Sequence, residues 1–239
     1  MSVVLDQYLA TFAGYGNRAA AVWFIGMEEG GGRDVDELQR RLSAWDARGR
    51  QPLEDLSAFH RAFGEHRYFT PPFRLQPTWK ALTRTLLAWQ GLEPTDARIR
   101  EVQSTELGST HGQSTVAELF PLPARSVRAW PYESLATVRP ELAAREQYFA
   151  IHQPRRIQML QNLLSAPTTR AIVCYGKGYD DNWAKLLNAP MSMRDTEGTH
   201  WKLGSRGGIP VAIVPHPVSR GIRSTFWNEL GARLREPTA

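Results

Sequence analysis

Two adjacent carboxylates, Glu28 and Glu29, end the stretch VWFIGMEE and are followed at once by Gly30, Gly31 and Gly32. Carboxylates in such a place suit general acid–base work, or stabilisation of positive charge that develops during bond cleavage. A third acid, Glu118, lies in VAELFP, Lys177 stands between glycines in YGKGY, and His216 stands between prolines in VPHPV. Rigid prolines on both sides of His216 suit an oriented hydrogen-bond donor. The three glycines leave bare backbone, either as a flexible loop or as room for close approach of a base or phosphate. Several chemistries have no support. GKG lacks the spacing of the phosphate-binding GxxxxGK[ST] loop, so no ATP or GTP site is expected. The serine-nucleophile elbow GxSxG is absent, as is the zinc-deaminase signature. His60, His66, His111 and His152 show no metal-ligand spacing. The single cysteine, Cys174, excludes an internal disulfide and any cysteine-ligated zinc or iron–sulfur site. Neither a metal nor an organic cofactor is expected.

The elements that would position these residues follow from periodicity. Residues 21–26, 171–175 and 210–215 are short continuous apolar runs bounded by turn residues, the pattern of buried strands. Residues 115–120 form a weaker run, interrupted by Glu118. Helical spacing covers 34–48, 77–89, 141–150, 155–164, 179–187 and 224–234, with Pro154 expected to split the fourth from the third. Residues 191–203 suit a hairpin or an irregular insertion. Strands alternating with helices imply an α/β fold, a three-layer αβα with a central, mostly parallel four-stranded sheet in one domain, 1–239. In such a sheet, functional groups gather at the carboxyl ends of the strands. Glu28 and Glu29, Glu118, Lys177 and His216 all fall there.

The formal net charge is +5 and the pI about 9.6. Arginine supplies most of it, since Lys80, Lys177, Lys185 and Lys202 are the only lysines. Arginine favours phosphate, although a GC-rich genome also writes arginine for lysine. No apolar run approaches the ~20 residues that span a bilayer, so no membrane is expected. The first residues lack the basic start of a signal peptide. A cytoplasmic protein, acting as a monomer, is the expectation.

Taken in order, the strand ends IGMEEGGG, VAELFPLP, IVCYGKGYDDNWAKLL and VAIVPHPVSRGIRSTFW resemble the motifs of the uracil-DNA glycosylase superfamily. PPFRLQPTWKALTRTLL resembles that family's Pro-Phe segment leading into a helix, and the likeness spans roughly residues 20–235. It departs where Glu28 takes the place of the family's catalytic Asn or Asp, Glu29 that of a proline, and Glu118 that of a base-reading Asn. Val218 also separates Pro217 from Ser219.

The resemblance implies a DNA glycosylase that flips a base and hydrolyses its N-glycosidic bond to leave an abasic site. Glu28 or Glu29 would be the carboxylate that positions water and stabilises the sugar cation, and His216 the donor to the departing base. Gly26, Met27 and Gly30 would line the substrate. Phe73, or nearby Tyr68 or Phe69, would stack on the base. Glu118 would accept from the exocyclic amine of a cytosine-like base, which uracil lacks. Lys177, Ser219, Arg220 and Arg223 would hold DNA phosphates, the last three at the start of the final helix, where Ser219 or Ser224 could instead be a simple N-cap. The expected substrate is a modified cytosine, such as the glucosylated hydroxymethylcytosine of phage DNA, in a defence role. Uracil or another deaminated base, a catalytically silent DNA-binding relative, and an unrelated nucleoside hydrolase remain alternatives.

Overall fold

The computed structural model describes residues 2–126 and 128–236. In chain order the elements are α1 (Ser2–Thr11), β1 (Gly14–Tyr15), β2 (Val22–Gly26), α2 (Val35–Ala47), β3 (Leu53–Glu54), α3 (Leu56–Ala62), α4 (Pro77–Gln90) and α5 (Asp96–Thr105). There follow β4 (Ser114–Glu118), α6 (Arg145–Leu164), β5 (Ala171–Tyr175), α7 (Asp180–Leu187), β6 (Met191–Thr196), β7 (Thr199–Arg206), β8 (Ile209–Val214) and α8 (Ser224–Arg235). The fold is α/β, built on one mixed sheet in the order β3-β1-β4-β2-β5-β8-β7-β6.

The sheet is larger than the four strands expected. Its central four, β4, β2, β5 and β8, are those read from the sequence, and they run parallel. Every residue of β2, β4 and β5 is buried, as strands covered on both faces require. The additions lie at the edges. β1 and β3 have two residues each, too few for any periodicity to register. β6 and β7 form an antiparallel hairpin joined to β8, which settles residues 191–203 as a hairpin.

Glu118 does not interrupt its strand but ends it, opposite Gly26 in the β2–β4 register. A second correction concerns Pro154. Helix α6 runs unbroken from Arg145 to Leu164 through it. Proline removes one bond to the carbonyl four residues back, here that of Ala150. Both Ala150 and Pro154 are exposed, so water can satisfy the freed carbonyl. A third concerns the last helix: its N-cap is Arg223, with no side-chain cap, and neither Ser219 nor Ser224 holds that place.

Helices α4 and α8 pack tightly because Gly231 has no side chain. A Cβ there would meet Ala88 Cβ at 2.8 Å and Trp89 N at 2.9 Å. Thr85 Oγ1 also donates to the Trp227 carbonyl at 3.2 Å. This contact fixes Trp79 of α4 relative to the loop between β8 and α8, and so sets two walls of one cleft.

Candidate active site

The carboxyl ends of β2, β4, β5 and β8 open into a cleft of about 1270 Å³. That is above the ~300–1,000 Å³ usual for small-molecule sites. Its lining brings together Met27, Glu28, Glu29, Gly30, Glu118, Lys177, His216 and Ser219 from widely separated stretches of chain. Gly26 lies beneath it: a Cβ there would collide with Glu118 Oε2 and the Tyr175 ring. Bare backbone at Gly26 is therefore what allows Glu118 and Tyr175 to meet above β2.

The two neighbouring glutamates have different surroundings. Glu29 is saturated: Arg41 Nη1 donates to Oε2 at 2.8 Å and Nη2 to Oε1 at 3.2 Å. The Tyr15 hydroxyl also donates to Oε2, and His60 Nε2 faces Oε1 at 2.9 Å. His60 Nδ1 in turn faces the Leu56 carbonyl at 2.8 Å. Burial pushes the Glu29 carboxyl up, but Arg41 and then His60 outweigh it and hold it well below the usual range. Glu29 is thus a locked anion. Glu28, with 5% of its side chain exposed, pairs through Oε2 with Arg145 of α6, whose Nη1 also donates to the Ser126 carbonyl at 2.8 Å. Its Oε1 is buried and has no hydrogen-bond partner among the described residues. Of the two acids, Glu28 keeps acceptor capacity to offer a bound molecule.

Glu118 is the third acid. The Tyr175 hydroxyl donates to its Oε1 at 3.1 Å, while Oε2 has no partner among the described residues. The nearby Arg156 is fully buried but spends its donors on backbone: Nε on the Leu119 carbonyl at 2.7 Å and Nη2 on the Glu118 carbonyl at 2.9 Å. Burial, with the Glu29 charge adding to it, pushes the Glu118 carboxyl well above the usual range. Burial likewise brings the Arg156 guanidinium down to about 10.

His216 follows β8 and stands edge-on to the Tyr175 ring, centroids 5.7 Å apart. The Val218 N–H donates to its Nδ1 at 3.4 Å, which places the ring proton on Nε2. Burial lowers its pKa, so the neutral ring with an Nε2–H donor prevails.

The glycine run divides in role. Gly31 and Gly32 have φ of 120° and 62°, the left-handed half of the map. A Cβ on Gly32 would strike the Pro123 carbonyl. Its N–H and that of Arg33 donate to Glu37 at 3.0 and 3.2 Å, just before α2. Those two glycines serve the turn. Gly30 alone faces open space on the cleft.

Other expected residues fall apart from the cleft. Phe73 is half-buried and is not in the lining; the rings there include Tyr68, Trp79, Phe63, Tyr175 and Tyr179, and Phe69 is buried against Trp79 and His60. Lys177 is exposed at the rim beside Gly176, whose φ is 101°. Ser219 reaches the rim, its N–H donating to the His216 carbonyl at 2.8 Å. Arg220 and Arg223 are exposed but outside the lining, and Arg223 lies 3.7 Å from Glu197. Nothing local in the sequence marks Arg145, Arg156 or Tyr175 as partners of these acids, since they act across more than thirty residues. Arg41 had one, since it lies one helical turn from Glu37 and donates to it at 3.3 Å. Among the described residues no group of three or more His, Cys, Asp or Glu is disposed to hold a metal ion.

No family model, curated protein or solved structure matches the chain. The chemistry of the cleft is therefore argued from its own residues.

Proposed function

We propose that the protein is a DNA glycosylase of the uracil-DNA glycosylase type, a three-layer αβα scaffold of one domain. It flips a base into the cleft and hydrolyses its N-glycosidic bond, leaving an abasic site. The observation that carries this is Glu28: a buried carboxylate with one oxygen tied to Arg145 and the other without a partner, on a floor shared with His216. Arg145 holds one oxygen of Glu28 in an ion pair. Its free oxygen stabilises positive charge developing on the sugar and accepts a proton from the attacking water. A weak base suffices for that, because an oxocarbenium-like carbon captures water readily. His216 Nε2–H donates to the oxygen of the departing base, and Tyr68 or Trp79 gives it a stacking face. The exposed cations Arg40, Arg125 and Lys177 around the cleft suit flanking phosphates.

The cleft volume favours a bulky base, and the proposed substrate is a modified cytosine in phage DNA, excised by a monomer in the cytoplasm. The test offers purified protein uracil-containing DNA, unmodified DNA and phage DNA with modified cytosines. Free base and alkali-labile sites from the modified-cytosine DNA are expected. Binding without any release would reduce the protein to a DNA-binding module, and release from free nucleosides alone would make it a nucleoside hydrolase.

A further inference from the structure

Glu118 is a buried acid whose carboxyl no cation among the described residues hydrogen-bonds. Every neighbour that faces it is accounted for. Arg156 of α6 gives its hydrogen bonds to the Leu119 and Glu118 carbonyls and Met159 Sδ, and its charge favours the Glu118 carboxylate less than burial and the Glu29 charge oppose it; Tyr175 at the end of β5 donates to Oε1, and Glu28 and Glu29 after β2 are each paired with an arginine of their own. His216 after β8 packs on Tyr175 and is neutral. A carboxylate so placed is costly, whereas the protonated acid needs no counter-charge. The Tyr175 hydroxyl fixes Oε1 as an acceptor, which leaves the hydroxyl proton on Oε2, the oxygen without a partner. The residue lines the cleft beside Glu28 and is only 5% exposed.

We infer that Glu118 docks, as acceptor and donor together, on a ring nitrogen flanked by an exocyclic amine, and that it protonates that nitrogen as the base departs. This rests on the glycosylase reading above and names the substrate edge and the acid for it. The edge belongs to cytosine and adenine types. Uracil and thymine carry N–H at the corresponding ring position, which meets the acid's own proton. In the step, the C1′–N bond breaks and its electron pair passes to the base. The Glu118 Oε2 proton moves to the ring nitrogen, so a base that is a poor anion leaves neutral. Water adds its oxygen to C1′ and gives one proton to Glu28. Glu118 ends ionised and Glu28 protonated, and exchange with solvent restores both.

Glu118→Gln separates docking from proton transfer, because the amide keeps an acceptor and a donor but has no acidic proton. Infrared difference spectra of wild type against this variant at neutral pH should contain the carbonyl band of a protonated carboxyl. Its absence, in variants whose circular dichroism matches wild type, overturns the proposal. With single-turnover assays on modified-cytosine oligonucleotides, Glu118→Gln should bind within about threefold of wild type and release base at least ~100-fold more slowly. Wild-type release should also fall as pH rises, as the acid ionises. Equal release by Glu118→Gln overturns the acid role while leaving the glycosylase reading intact. A wild-type protein that shows the band but releases no base overturns that reading and the proton transfer with it. A preference for cytosine-type over uracil oligonucleotides in binding, lost in Glu118→Leu, would then still support the docking edge.

Discussion

At the scale of residues, three carboxyls on one rim are held in three states by their neighbours. Glu29 is locked by Arg41, His60 and Tyr15, Glu28 is paired on one side only, and burial pushes the Glu118 carboxyl well above the usual range. Environments that push carboxyls apart in this way assign acid and base roles. Glu29→Ala should cost about 3 kcal/mol in urea unfolding, because it leaves the 3%-exposed Arg41 with Glu37, at 3.3 Å, as its remaining acidic partner. The pH dependence has opposite signs for the two extreme acids. Glu29, depressed in the folded state, contributes stability that is present above the ordinary carboxylate range and is lost as pH falls through it. Glu118, raised in the folded state, loses stability as pH rises from that range towards its higher value. Glu118→Gln should therefore lessen the decline in stability on the alkaline side, read from unfolding midpoints across pH. An unchanged slope would mean that Glu118 is ionised in the native protein.

At the scale of elements, backbone close to the floor matters as much as the acids. Gly26→Ala should destabilise by about 1–3 kcal/mol through overpacking and also displace Glu118 and Tyr175, so stability and base release fall together. Gly231→Ala, in the α4–α8 contact, should cost a similar amount in unfolding while leaving the acids in place. Comparing the two in thermal melts and turnover tests whether Gly26 is a site residue or merely a packing one. The central strands and most helices were legible because buried parallel strands and amphipathic helices print their periods in the sequence. What escaped notice lacked a period. β1 and β3 are too short, and α6 passes through Pro154 because the freed carbonyl faces water. Helices α1, α3 and α5 are not among the expected elements; in α1 the buried Leu5, Tyr8 and Leu9 share one face, but Val3, 64% exposed, blurs the pattern.

At the scale of the whole molecule, sequence order alone placed Glu28, Glu29, Glu118, Lys177 and His216 on one rim, since strand ends of a parallel sheet share an edge. Their partners were not legible: Arg145, Arg156 and Tyr175 arrive by tertiary packing, and nothing local marks an arginine that will be buried. Phe73 failed for a related reason, as the ring nearest in motif is not the ring that α4 turns into the cleft. The +5 net charge adds a field over this rim. Binding to duplex DNA should weaken steeply with salt, and Arg125→Ala or Lys177→Ala should reduce the log–log slope by about 1 each. A slope unchanged in both would move the DNA path elsewhere. No described helix is long and apolar enough to cross a membrane. Under the proposed function, Glu28 serves the chemistry and Glu29 the scaffold. The most direct measurement of this is single-turnover release of free base from modified-cytosine DNA by wild type and Glu28→Gln, with folding checked by circular dichroism. Wild type should release base, and a folded Glu28→Gln should do so at least ~100-fold more slowly. Equal release by the two would remove Glu28 from the chemistry.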